Sequence, residues 1–147
     1  MRRDRVQAIV IRDNKVLLVK HRMRGREFFC VPGGGIEDGE TKEEAVLREL
    51  KEEACVDGEI VRKLSIQFKP RDMGEVHSYL IRISKDATPF PGIDPELGED
   101  KQTIIGIEWL GLEEIGDVDR AYLWAAGLNR IDYFHEALLE MENKLYK

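Results

Sequence analysis

The sequence predicts an α/β domain, and three observations carry that reading. Short β-rich runs recur through the first three quarters of the chain. A capped helical segment interrupts them after a glycine-rich stretch. The last segment repeats apolar residues at helical spacing. The 147 residues are the size of one ordinary domain, read as a single unit over 1–147, and a chain of that length buries a core without disulfide or metal staples.

The elements follow in order. QAIVI (7–11) and KVLLVK (15–20), separated by Arg-Asp-Asn, read as a hairpin. The basic stretch KHRMRGRE (20–27) reads as a loop, and FFCV (28–31) as a short strand ending at Pro32. The glycine loop PGGGIEDGET (32–41) leads into a helix that begins at Thr41, because Thr41 and Glu44 form a T-x-x-E capping box, and runs to about Ala54. Strands are expected at 59–68 and 75–84, separated by turn-forming residues. Residues 85–103 are rich in proline, glycine and acids and form a long loop, a length often tied to function. TIIGIEWL (103–110) is a strand. From Arg130 onward, Ile131, Phe134, Leu138, Met141 and Leu145 define an amphipathic helix whose stripe packs on the core.

Composition narrows the function. Hydrophobic residues make up 42% and charged residues 35%, with a net charge of -6, which disfavours a nucleic-acid surface and leaves small ligands and cations. No run reaches transmembrane length, and the N-terminal apolar run is cut by Arg12 and Asp13. Cys30 and Cys55 lack C-x-x-C spacing and read as buried small residues in a reducing cytoplasm.

The glycine loop poses the chemical question. Gly34, Gly39 and Thr41 fall in register with the phosphate-loop pattern G-x-x-x-x-G-K-[ST], but Glu40 occupies the lysine position, where a carboxylate repels phosphate. The helix that follows supplies the answer. On a wheel centred on Glu49, Glu53 lies about 40° to one side and Glu52 about 60° to the other. Val46, Leu47, Leu50 and Ala54 take the neighbouring face. Three carboxylates on one edge either form a solvated acidic face, with Lys42, Arg48 and Lys51 nearby, or hold a hard divalent cation. In the second case the metal supplies the positive charge that the loop lacks.

GGIEDGETKEEAVLRELKEEACV (34–56) resembles the box of the Nudix hydrolase superfamily, G-x5-E-x7-R-E-U-x-E-E-x-G-U with U a bulky aliphatic residue. Gly34, Glu40, Arg48, Glu49, Leu50, Glu52, Glu53 and Val56 match in place, and Cys55 stands where the box has its second glycine. That departure implies a shifted helix end, with Gly58 taking the glycine's role. FFCVPGGG before the box, the basic residues from Lys20 to Arg22 and the tryptophan of GIEWLGLEEI extend the likeness over most of 6–115. The last 30 residues carry no signature of the family.

The resemblance implies an α/β/α sandwich around a mixed sheet, with the box as a loop–helix–loop motif, to which the periodicity of the last segment adds a C-terminal amphipathic helix. It also implies hydrolysis of a nucleoside diphosphate derivative by water attack at phosphorus. Glu49, Glu52, Glu53 and the Gly34 carbonyl are the implied ligands of Mg²⁺, with Mn²⁺ an alternative. Glu49 is the implied base, unless a loop acid, Glu99 before Glu96, takes that role. Arg48 orients the glutamates, Glu40 with Gly39 shapes the loop, Arg22 is a candidate phosphate contact ahead of Arg24 and Arg26, and Phe29 is a candidate base contact. Core filling is the alternative for Phe28, Phe29, Phe68 and Tyr79, and His77 reads as a packed histidine. The marker proline of ADP-ribose hydrolases falls one residue out of register at Pro70. The tyrosine of dinucleoside polyphosphate hydrolases is missing from the Asp72–Gly74 stretch. The expected partner is a small nucleotide derivative, with no nucleic acid or membrane, and a second copy of the chain as a dimer mate. A nucleotide-sensing module without catalysis is the alternative, against which all box glutamates are retained.

Overall fold

The computed structural model describes residues 3–93, 97–98 and 101–145, with side chains through residue 140. Seven strands form a mixed sheet in which β3-β2-β1-β6-β5 are successive neighbours. The strands are β1 (Arg5–Arg12), β2 (Lys15–Met23), β3 (Arg26–Cys30), β4 (Gly33–Gly35), β5 (Gly58–Phe68), β6 (Glu75–Ile83) and β7 (Ile104–Leu110). β4 pairs with β1 and β7 with β2; β1 and β6 run parallel and the other pairs antiparallel. Three helices cover the sheet: α1 (Lys42–Ala54), α2 (Asp117–Ala125) and α3 (Asp132–Leu145).

Period-two alternation sorts β1 between two cores. Val6, Ala8 and Val10 face α1 and pack with Ala45, Val46, Leu50 and Ala54. Ile9 faces the other way and joins Val16, Leu18 and Leu64 beneath Leu123, Leu128 and Phe134 of the C-terminal segment. One helical layer on each face makes an α/β/α sandwich. The α3 stripe packs on the core through Phe134 and Leu138.

Several expectations need correction. The basic stretch 20–27 is mostly strand: β2 continues to Met23, and Arg24 and Gly25, both at positive φ, turn it into β3. Its polar composition reflects exposure at the sheet edge, not loop structure. Gly33–Gly35 is also strand, because pairing with β1 offsets the poor intrinsic strand tendency of glycine. The α1 end is not shifted. Cys55 itself takes the left-handed cap conformation, φ 58°, and its N–H bonds to Lys51 O. Gly58 instead opens β5, where Ile81 and Leu50 leave no room for a side chain. Helix α2 had no sequence expectation. Phe68 is 78% exposed and fills no core, whereas Tyr79 is buried. Both cysteines are free and only partly buried.

Candidate active site

The capping box starts α1 as expected: Glu44 N–H bonds to Thr41 Oγ1 at 3.1 Å, and Thr41 N–H to Glu44 Oε1 at 3.0 Å. Two turns on, Arg48 is the hub of the motif. Its Nε and Nη2 reach the two oxygens of Glu40 at 2.6 and 3.0 Å, a bidentate pair. Nη1 donates to Glu49 and Glu52, both at 3.1 Å, and Nη2 also donates to Gly35 O at 2.9 Å. The hydrogen bonds from Arg48 pull the Glu40 carboxyl below its usual range, and Glu40 in turn raises the guanidinium above its own.

β4 lies directly on the carboxylates. Gly33 N–H donates to Glu53 Oε1 at 2.7 Å. At Gly34 a β-carbon would occupy the space taken by the Glu49 carboxylate, so only glycine allows this approach. The donor set is therefore three partly buried carboxylates beside glycine backbone, and all of the donors are oxygen. That chemistry fits a hard divalent cation.

A cavity of about 220 Å³ opens beside Glu53 and Gly33. Its polar lining is hydrogen-bonded, with Ser78 behind it. Ser78 Oγ donates to Gln7 Oε1 at 3.0 Å, and Gln7 Nε2 donates to the Tyr122 hydroxyl. Burial pushes the Tyr122 phenol up to about 12, so it is neutral and available as a donor. Across the cavity the rings of His21 and Phe28 stack at 5.3 Å and 11°. His21 Nδ1 lies 2.9 Å from Thr103 Oγ1, and burial lowers the His21 pKa. Cys30 also lines the cavity, its thiol raised first by burial and then by the Glu53 charge.

A larger cavity of about 770 Å³ lies on the other side of the loop, lined by Asp4, Glu37, Asp38, Glu40 and Glu43 with Lys42 and Lys63. Its acids outnumber its cations, so it suits an anionic substrate poorly despite its size. Near its edge, Asp4, Glu75 and His77 bring three ligand-type atoms within 4.8 Å of one another. Lys63 Nζ sits 2.6 Å from His77 Nδ1. An ammonium group only donates, so Nδ1 accepts and the ring proton resides on Nε2, aimed at Glu75 Oε2 2.8 Å away. That tautomer makes His77 a donor to Glu75, not a metal ligand. Its pKa is lowered, chiefly by burial.

The sequence-selected residues divide accordingly. Gly34, Glu40, Arg48, Glu49, Glu52 and Glu53 come together. Gly39 takes φ 79° in the loop between β4 and α1. Arg22 is exposed and bonds to Glu27 at 2.7 Å. It alternates with His21 and Met23, which line the smaller cavity. Phe29 alternates in the same way with Phe28: it packs against the second core with Lys20 over its ring, and the cavity ring is Phe28. Glu96 and Glu99 lie outside the described residues. The sequence reading missed Gln7, His21, Thr103 and Tyr122. A glutamine between Val6 and Ala8 in an apolar strand was a readable signal, whereas Tyr122 offered none.

The NUDIX domain family model matches residues 1–130. The chain belongs to the Nudix family. Over 66 residues it is 41% identical to an ADP-ribose pyrophosphatase of Methanocaldococcus jannaschii, a match covering 44% of this chain and 39% of that protein. Over 67 residues it is 43% identical to a putative nudix hydrolase of Caenorhabditis elegans, covering 42% of this chain and 18% of that one. These alignments thus span well under half of either relative. Among solved structures, a Nudix hydrolase from Nitrosomonas europaea superposes with TM-score 0.62 at 26% identity, covering 78% of this chain and 60% of that one. A Nudix family member from Chromobacterium violaceum covers 97% of this chain and 90% of its own, with TM-score 0.61 and 21% identity, a likeness of fold.

Proposed function

We propose that this Nudix protein is a metal-dependent hydrolase that cleaves the diphosphate linkage of a nucleoside diphosphate derivative, with ADP-ribose the first substrate to test. One observation supports the reading: a cluster of carboxylate oxygens packed by α1 against the glycines of β4 borders a cavity with hydrogen-bonded polar groups and a stacked aromatic pair. Glu49, Glu52, Glu53 and the Gly34 carbonyl hold Mg²⁺ or Mn²⁺. When bound, the cation neutralises diphosphate charge and polarises the phosphorus centre. Glu49 accepts the proton of the attacking water, and Glu99 is the competing base. Arg48 keeps Glu49 and Glu52 aimed at the site while Glu40 fixes Arg48.

The smaller cavity is below the roughly 300–1,000 Å³ of ordinary ligand pockets, so it takes one end of the substrate, not the whole. We assign it the base: His21 and Phe28 offer a stacking surface, and Gln7 with Tyr122 offers edge hydrogen bonds. ADP-ribose is placed first because the Methanocaldococcus jannaschii relative is an ADP-ribose pyrophosphatase. A cytoplasmic setting fits the two free thiols and the absence, among the described residues, of a helix long and apolar enough to cross a membrane. The test is a hydrolysis screen with Mg²⁺ over ADP-ribose, nucleotide sugars, and ordinary and oxidised nucleoside triphosphates. Turnover in ¹⁸O-water should label a phosphate product. Activity that persists in excess EDTA refutes the metal mechanism, and metal-dependent nucleotide binding without turnover on any substrate favours the sensing module.

A further inference from the structure

The sequence TPFPGI (88–93) ends on the catalytic helix. Phe90 N–H donates to Ala54 O at 3.0 Å, and Gly92 N–H donates to Glu53 O at 2.9 Å. These two acceptors belong to the last turn of α1, whose carbonyls have no partner within the helix. Pro89 and Pro91 have no N–H to offer, so within residues 89–92 the two backbone donors are the two that are used. Ala87 and Pro89 are half-buried, but the side chains at the docking point itself add little, since Phe90 is 56% exposed and Pro91 is exposed. Contact is backbone to backbone and very close: a β-carbon on Gly92 would overlap Glu52 O and lie 2.7 Å from Glu52 C. The stretch is anchored at its start as well. Arg12 donates to Ser84 O at 2.8 Å and to Ala87 O at 3.0 Å while its guanidinium lies 4.9 Å from the Trp109 ring centre. The turn it clasps is the one in which Cys55 replaces the usual glycine and adopts a left-handed conformation.

We propose that residues 84–92 form a strap that fixes the last turn of α1, and that Gly92 is a positioning residue for metal binding through the backbone of Glu52 and Glu53. The proposal rests on the reading of those two glutamates as metal ligands. The helix ends one residue after Glu53, where helical turns fray most readily. A side chain at position 92 forces strap and turn apart, breaks the Gly92–Glu53 bond and re-aims two ligand side chains at once. Prolines on either side of Phe90 lower the entropy lost when the strap docks.

The test titrates Mn²⁺ into the metal-free full chain and reads free Mn²⁺ by EPR, with melting temperature recorded without metal. Gly92→Ala is expected to weaken Mn²⁺ binding by about tenfold or more, the scale seen when groups supporting metal ligands are removed. Pro91→Gly introduces no clash and keeps both hydrogen bonds, so it tests the strap in a chain that folds. Its expected weakening is roughly two- to fivefold. Ile131→Ala, in the other core, is the control: it lowers the melting temperature and leaves Mn²⁺ affinity unchanged. Gly92→Ala binding Mn²⁺ within twofold of the parent overturns the proposal, as does an equal weakening in Ile131→Ala. If Gly92→Ala does not fold, unchanged affinity in Pro91→Gly overturns it. A parent chain that binds no Mn²⁺ refutes the ligand assignment beneath the proposal, whereas a binding parent with unaffected strap variants refutes the strap alone.

Discussion

Arg48 reaches Glu40, Glu49 and Glu52, all within eight residues of it, whereas Tyr122 meets Gln7 across 115 residues of chain. These pairs belong to the two helical layers. The α1 layer is tied together by charge-assisted bonds among sequence neighbours on a capped helix. The α2–α3 layer is held by an apolar cluster and delivers one polar group, Tyr122, to a cavity walled mainly by β1, β2 and β3, with Val31, Gly33, Glu53 and Thr103 completing its lining. The difference teaches where each half of the proposed activity resides. In the proposed activity, metal binding draws on one short stretch, and substrate choice on distant ones. The comparison predicts that changes in the first layer act on turnover and changes in the second act on affinity for particular substrates.

The largest expected effect tests the first half. Glu52→Gln and Glu53→Gln each remove a ligand charge while keeping shape, and kcat should fall by roughly a hundredfold or more. The metal-free melting temperature should stay level or rise slightly, because like charges at helical spacing repel. Full activity in both variants, with a parent melting temperature unresponsive to Mg²⁺, overturns the reading of α1. Glu99→Gln separates the two bases. A loss below about tenfold leaves Glu49 as the base, and a loss matching that of Glu52→Gln transfers the role to the loop.

Arg48→Met probes how tightly the motif is knit. It strips the partly buried Glu40 of its bidentate partner and should cost about 2 kcal/mol of stability in urea unfolding, with turnover falling as Glu49 and Glu52 lose their common donor. For the second layer, Tyr122→Phe removes one hydroxyl. It should raise KM about tenfold for the substrate that uses the cavity, with kcat nearly unchanged. A kcat loss of the same size instead places Tyr122 in the chemistry and breaks the division between layers.

The smallest effect is on acid stability. His77 and His21 are both held below the usual histidine pKa, mainly by burial. Below a pH near 6.5 the unfolded chain binds protons that the folded chain resists, so their stability contribution is full above that pH and declines as pH falls toward the folded values. Melting temperature should drop by on the order of a few degrees between pH 7 and 5. His77→Gln should flatten part of that slope, since glutamine can still donate to Glu75.

The sequence by itself determined the α1 segment. Its cap, its ion pairs and its row of carboxylates depend on helical periodicity and on partners within about twenty residues, and such spacing survives in a linear text. It also determined the β1–β2 hairpin and the α3 stripe, where period two and period 3.6 are plain. Only the tertiary structure decided the rest. Gly33–Gly35 is a strand because β1 offers it a partner, not because glycine favours one. His21 and Phe28 reach the cavity while Arg22 and Phe29 do not, because pairing fixed which side of each strand faces it. Prolines 89 and 91 read as loop composition until the free N–H groups between and after them met the carbonyls of α1. The physical reason is common to all three: local conformational preference acts over a few residues, whereas register, facing and docking depend on which distant backbone completes the hydrogen bonds.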